Sequence, residues 1–171
     1  MADNRVILKA LNVLEGVTPL QNKNCGKICG AKCCKGSAND GMCLFPHEKE
    51  LLESEENFLF CETEGNFGYD ILVCDGTCNR HKRPLACRIF PLVPLAVEKD
   101  GKIEIVPIPD PRALTCPLIS EDMKISRKFK RTVKIAGRFL LRDEETKEYL
   151  LDMSKELLEI ADFAALMQKK R

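Results

Sequence analysis

Ten cysteines, nine of them packed between Cys25 and Cys87 and the tenth at Cys116, are the strongest constraint on how this 171-residue chain folds. A segment so rich in thiols must pair them as disulfides, bury them as small hydrophobes or gather them on a metal. The start, MADNRVILKALNVLEG, has an acidic residue at Asp3, no basic n-region and no extended apolar run, so it does not read as a secretory signal. The longest apolar stretch, Ile89 to Val97, is nine residues broken by Pro91 and Pro94, under half of the roughly 20 a membrane span needs. The expected location is therefore cytoplasmic, where thiols stay reduced and clustered cysteines point to metal binding or redox chemistry.

Spacing sharpens that expectation. The first cluster is Cys25-x3-Cys29-x3-Cys33-Cys34, and the second is Cys74-x3-Cys78-x8-Cys87, with Cys116 closing from a distance. Thiolates a few residues apart can reach one ion through a tight loop, and the intervening glycines let that loop turn. Tetrahedral zinc takes four ligands, and iron–sulfur clusters commonly take four as well. Two full sites leave two cysteines over. Cys43 in Met-Cys-Leu-Phe and Cys61 in Phe-Leu-Phe-Cys sit in apolar company without a cysteine nearby, and these two are assigned to the core. The candidate metal ligands are Cys25, Cys29, Cys33, Cys34, Cys74, Cys78, Cys87 and Cys116. They either form two sites in sequence order or divide the adjacent pair Cys33-Cys34 between sites, since neighbouring side chains of an extended chain point apart.

Basic residues accompany both clusters: Lys23, Lys27, Lys32 and Lys35 beside the first, Arg80, His81, Lys82, Arg83 and Arg88 beside the second. A four-thiolate zinc carries about −2, so these cations read as counter-charge that also lowers thiol pKa values. No aromatic residues are interleaved to stack bases. His47 and His81 read as solvated polar residues rather than ligands.

Periodicity gives the rest of the architecture. Residues 5–14 place Ile7, Leu8, Leu11 and Leu14 at helical spacing before Gly16. Residues 25–41, rich in glycine and turn signals, leave little room for a stable helix. A short helix is expected in 45–54, where Glu48, Glu50 and Glu53 favour its N-terminal dipole, with short strands in FLFCE and FGYDILV and a hairpin over 92–108 around Asp100-Gly101. In 121–141 an apolar stripe of Ile125, Phe129, Val133, Ala136 and Leu140 runs among seven lysines and arginines. From Asp143 to Asp162 the sign inverts, with eight acidic residues against two lysines, while Leu150, Met153, Leu157, Ala161 and Ala164 continue the stripe. The two helices are expected to pack on the cysteine-rich part and on each other through opposite charges. The fold class expected is α+β: an irregular cysteine-rich domain over 1–120 with an N-terminal helix and a β-hairpin, and a helical extension over 121–171 packed on it.

The residues Cys29-Gly-x-x-Cys33-Cys34 and Cys78-x4-Arg83-Pro84-x-x-Cys87-Arg88-x-Phe90-Pro91 resemble the bacterial cysteine-cluster proteins of the YkgJ type. That family is described as a zinc- or iron-chelating domain, and part of flagellin lysine N-methylase is similar to it. The resemblance covers roughly Cys25 to Cys116 and implies about eight ligating cysteines. The opening loop departs from it in having x3 gaps. Independently, Pro84 and Pro91 fix φ on either side of Cys87, Arg83 and Arg88 can donate to sulfur or pair with carboxylates, and Phe90 and Leu92 can shield the site.

The function expected is metal binding, zinc or an iron–sulfur cluster on cysteine thiolates, in a structural or redox role. The alternative is an enzyme, an iron–sulfur oxidoreductase or a relative of protein-lysine methyltransferases, although no glycine-rich phosphate loop and no Ser/His/Asp arrangement is present. The expected partner is a protein or small molecule, not a membrane. Nucleic acid is not expected, because the acidic stretch after 142 reads as the internal partner of basic helix 124–142.

Overall fold

The computed structural model describes residues 4–21, 23–34, 41–61, 70–74, 76, 78–121 and 123–169. The larger core grows from the hairpin. Strands β4 (Leu92–Lys99) and β5 (Lys102–Pro109) pair antiparallel through Lys99↔Lys102, with Asp100 at φ 52° and Gly101 at φ 70°. Two consecutive positive φ values give the turn whose twist matches that of the strands it joins. Counting from the turn-closing pair, Pro94↔Pro107 falls on a pair whose N–H groups point away from the partner strand, so two prolines face each other without a lost ladder bond. Ala96, on the same outward row, donates its N–H to Ser154 Oγ at 2.8 Å.

Helices α6 (Arg127–Leu140) and α7 (Glu144–Lys169) pack on this hairpin, and α1 (Arg5–Val13) packs on α6. The stripe predicted for α6 is its buried face: Phe129 and Val133 are fully buried, with Ala136 and Leu140 nearly so. Ser126 caps α6 by accepting from Phe129 N, and Asp143 caps α7 by accepting from Thr146 N. Gly137 lies so close to the hairpin that a Cβ there would stand 2.8 Å from Ile105 and Pro94 side chains. Leu150, Met153 and Leu157 bury the corresponding stripe of α7, Ala161 is half-buried, and the Ala164 side chain lies outside the described ones. One hydrophobic core runs from Val6 of α1 through the hairpin to Leu157 of α7, so segments 1–120 and 121–171 share it.

The charge pairing expected between the last two helices is not found. Among the described residues no ion pair joins α6 to α7. α6 packs chiefly on α1 and the hairpin, and α7 on β4, so their charged faces are held by different neighbours. Exposed pairs contribute at most about 1 kcal/mol, too little to redirect helices set by burial.

The cysteine-rich half is built from short elements. α2 (Cys25–Cys29) and a 3₁₀ turn (Lys32–Cys34) precede a three-stranded antiparallel sheet of order β1-β3-β2, formed by β1 (Met42–Cys43), β2 (Phe58–Cys61) and β3 (Ile71–Cys74). α3 (Lys49–Leu52), α4 (Leu85–Ile89) and α5 (Pro117–Ser120) complete the chain order. The expected strand residues 62 and 67–69, and the Asn39-Asp40 part of the turn signal, lie outside the described residues. Leu44, Leu52 and Leu72 form this half's own small core. α2 corrects the expectation of no helix in 25–41: Asn24 accepts from Gly26 N at 3.0 Å and Gly30 ends the turn at φ 63°, so start and stop signals outweigh the glycine content.

Two further side chains differ from expectation. His47 is not simply solvated: it is half-buried, with Nε2 at 3.2 Å from Glu145 and 3.6 Å from Asp143. Glu48, expected to serve a helix dipole, is fully buried and accepts from the N–H groups of Phe45, at 3.1 Å, and of Leu85. Burial pushes its carboxyl up to about 7.

Candidate metal centre

Five local devices carry the cysteines toward each other. α2 sets Cys25 and Cys29 one turn apart on one face. The 3₁₀ turn follows at once, with Cys34 N donating to Ala31 O at 2.8 Å, and leaves the Sγ atoms of Cys33 and Cys34 3.9 Å apart. Gly76, at φ 85°, lies close against that turn: a Cβ there would stand 2.8 Å from the Cys34 carbonyl oxygen. Cys87 sits on α4, which opens after Pro84 and closes before a cis Phe90–Pro91 peptide, so a short helix holds it rather than a loop. Cys116 is the N-cap of α5, its carbonyl accepting from Ile119 and Ser120.

These devices produce two neighbouring cavities. One, of about 90 Å³, is lined by Cys33, Cys34, Cys74, Cys78 and Cys87. The other, of about 50 Å³, is lined by Cys25, Cys29, Cys33, Cys87 and Cys116. Cys33, Cys87, Arg83 and Phe90 belong to both walls, so the cavities lie back to back. All eight candidate ligands border one or both, while Cys43 and Cys61 border neither.

Burial and neighbouring thiols set the thiol pKa values around both cavities. Burial pushes the Cys87 thiol up, and ionisation at Cys34, Cys78 and Cys74 would push it further. Burial likewise raises Cys25, with Cys29 and Cys116 adding to the rise and Arg80 opposing it. Cys116 is raised by burial and then by Cys29. The strongest coupling is within the adjacent pair, whose Sγ–Sγ contact raises Cys33 and lowers Cys34, with Arg83 also lowering Cys34 and with Cys25 and Cys29 adding to the rise at Cys33. Beyond that pair, Cys87 feels Cys34, Cys78 and Cys74, Cys25 feels Cys29 and Cys116, and Cys116 feels Cys29.

The two arginines named from the sequence take different roles. Arg83 stands between the cavities beside Cys78, and its buried Nε has no hydrogen-bond partner. Arg88 turns away, to Glu15 at 2.9 Å and to the carbonyls of Arg83 and His81 at 3.0 and 2.6 Å. His81 pairs with Glu15 at 2.7 Å, and neither histidine lines a thiol cavity. Gly76 was missed from sequence; its one signal is a glycine inside the second x3 gap.

Soft thiolate donors with a guanidinium between them suit zinc or iron–sulfur chemistry. Their separations are not those of coordination: among the described residues no group of three or more His, Cys, Asp or Glu side chains is placed to hold a metal ion. No described helix is long and apolar enough to cross a membrane. Comparison with family models, curated proteins and solved structures finds no match for the chain.

Proposed function

We propose that this chain is a metal-binding protein of the YkgJ type that holds zinc or an iron–sulfur cluster through cysteine thiolates, in two four-thiolate sets. Cys34, Cys74, Cys78 and Cys87 form one set; Cys25, Cys29, Cys33 and Cys116 form the other. The observation that carries this reading is the bordering of two back-to-back cavities by all eight candidate thiols and by no other cysteine of the described residues. The adjacent Cys33-Cys34 pair is thereby divided, the second of the two groupings its spacing allows.

The residues around the thiols serve such a centre in distinct ways. Arg83 offsets thiolate charge between the sets, Phe90 keeps water from both cavities, and α4 fixes Cys87 at their common wall. Bound zinc supplies a cross-link between loops, and a bound cluster supplies one-electron transfer. With every position of a set taken by thiolate, the zinc form has a structural role.

Anaerobic purification followed by the visible spectrum and elemental analysis tests the proposal. About two zinc per chain and no colour establish the structural centre. Iron, sulfide and a broad visible absorption establish the redox form and open the enzymatic alternative. Metal-free protein with ten freely titrating thiols overturns both.

A further inference from the structure

The outward face of α6 breaks the rules by which helices are stabilised. Arg127, Arg131, Lys134 and Arg138 recur every three or four residues, which aligns them in one stripe along the helix, with Lys128 and Lys130 flanking it. At a rise of about 1.5 Å per residue the stripe spans about 16 Å. Five of the six side chains are exposed and Lys134 is half-buried. Like charges at such spacings repel, and three cations occupy the first turn, where the helix dipole is positive and no acidic residue is present. Among the described residues no carboxylate pairs with any of them. A stripe that costs stability and has no internal partner fits an external polyanion.

The chemistry of the face selects among polyanions. The apolar side of α6 is consumed by the core, leaving only half-exposed Ile135 near the stripe, so the helix has no face to insert into lipid. Phe129 is fully buried, and the face of half-buried Phe139 already carries the Arg142 guanidinium, 4.8 Å from the ring centre, which leaves neither ring open to stack an unpaired base. The one uncharged polar side chain, Thr132, is buried and bonded to the Lys128 carbonyl at 2.9 Å, leaving no acceptor for a ribose 2′-hydroxyl. Donors in a straight row suit the phosphates of a regular duplex. We propose that α6 docks on the phosphate backbone of double-stranded DNA without reading its sequence, a function separate from the thiol centre.

The test is fluorescence anisotropy of a short labelled DNA duplex with the full chain as isolated, titrated over a range of salt. Four phosphate contacts at about 0.9 each predict a slope of log K against log salt of about −3.6. The double substitution Arg131→Gln and Arg138→Gln should halve that slope and weaken binding at low salt at least about tenfold. The same variant should melt at the native temperature or above it, because it relieves repulsion on the helix. Weaker binding together with undiminished stability is a combination that a structural role for these arginines does not produce. Three results overturn the proposal: no salt-dependent binding by the native chain, unchanged binding by the variant, or equal or tighter binding to phosphatidylserine vesicles or poly-glutamate than to the duplex.

Discussion

The two halves of this molecule stabilise themselves by different means. The hairpin and the long helices bury a continuous core from Val6 to Leu157, to which α4 and α5 of the cysteine-rich half add Leu85, Ile89 and Leu118. By contrast, α2, the 3₁₀ turn and the three-stranded sheet have beside them a separate cluster of three buried leucines and are elements of two to five residues. Burial of an aliphatic or aromatic side chain contributes about 1.5–3 kcal/mol, so the first region has far more apolar area to stand on than the second. What the second half has instead is thiols bordering shared cavities. If the thiols hold a metal as proposed, that centre is an element of folding, not a ligand site added to a finished scaffold.

On the proposal that the thiols hold a metal, its removal should break the comparison most severely. A closed zinc site contributes on the order of 10 kcal/mol in apparent terms, so chelation under reducing conditions should release amide protection across 25–34 and 71–89 while β4, β5 and α6 retain theirs. Hydrogen exchange read by mass spectrometry checks this, and uniform loss would show that the halves do not differ as described. Within the same experiment Cys87→Ser should lower metal content, whereas Cys43→Ser and Cys61→Ser should leave it unchanged.

The apolar half is tested by Phe129→Ala, which empties a fully buried position under the hairpin and should cost about 3–5 kcal/mol in denaturant unfolding with metal content intact. Glu48 probes the seam between the halves. Its carboxyl is raised from 4.5 to about 7 in the fold by burial, so the native state holds a proton that the unfolded state releases. Its contribution is therefore fully present below about 4.5, is lost as pH rises to about 7, and totals on the order of 3 kcal/mol. The difference in stability between native chain and Glu48→Gln should follow that slope, and a flat difference would contradict it. The smallest effect belongs to Ser126→Ala, about 1 kcal/mol from loss of the α6 cap, readable as a modest fall in melting temperature.

Legibility followed the same division. Period-3.6 stripes and the Asp100-Gly101 turn determined α1, α6, α7 and the hairpin, because burial and turn geometry act locally and repeat. The eight cysteines that border the cavities were also legible as a set, from spacing and from the apolar company of Cys43 and Cys61. Their grouping was not. It depends on Gly76 packing against Cys34 and on Cys116 reaching α2 from a distant segment, contacts with no periodic trace. Buried Glu48 was misread because a glutamate near a helix start ordinarily serves the dipole, and only the fold shows two backbone N–H groups from separate segments meeting at its carboxylate.

Gly137 sets a limit on how this molecule can be altered. Replacing a mid-helix glycine with alanine ordinarily strengthens the helix, yet here the added methyl would strike the hairpin and turn α6 about its axis or lift it away. The missing side chain acts as a key that fixes the azimuth of α6. A methyl group on the inner surface would thus re-aim every cation on the outer one.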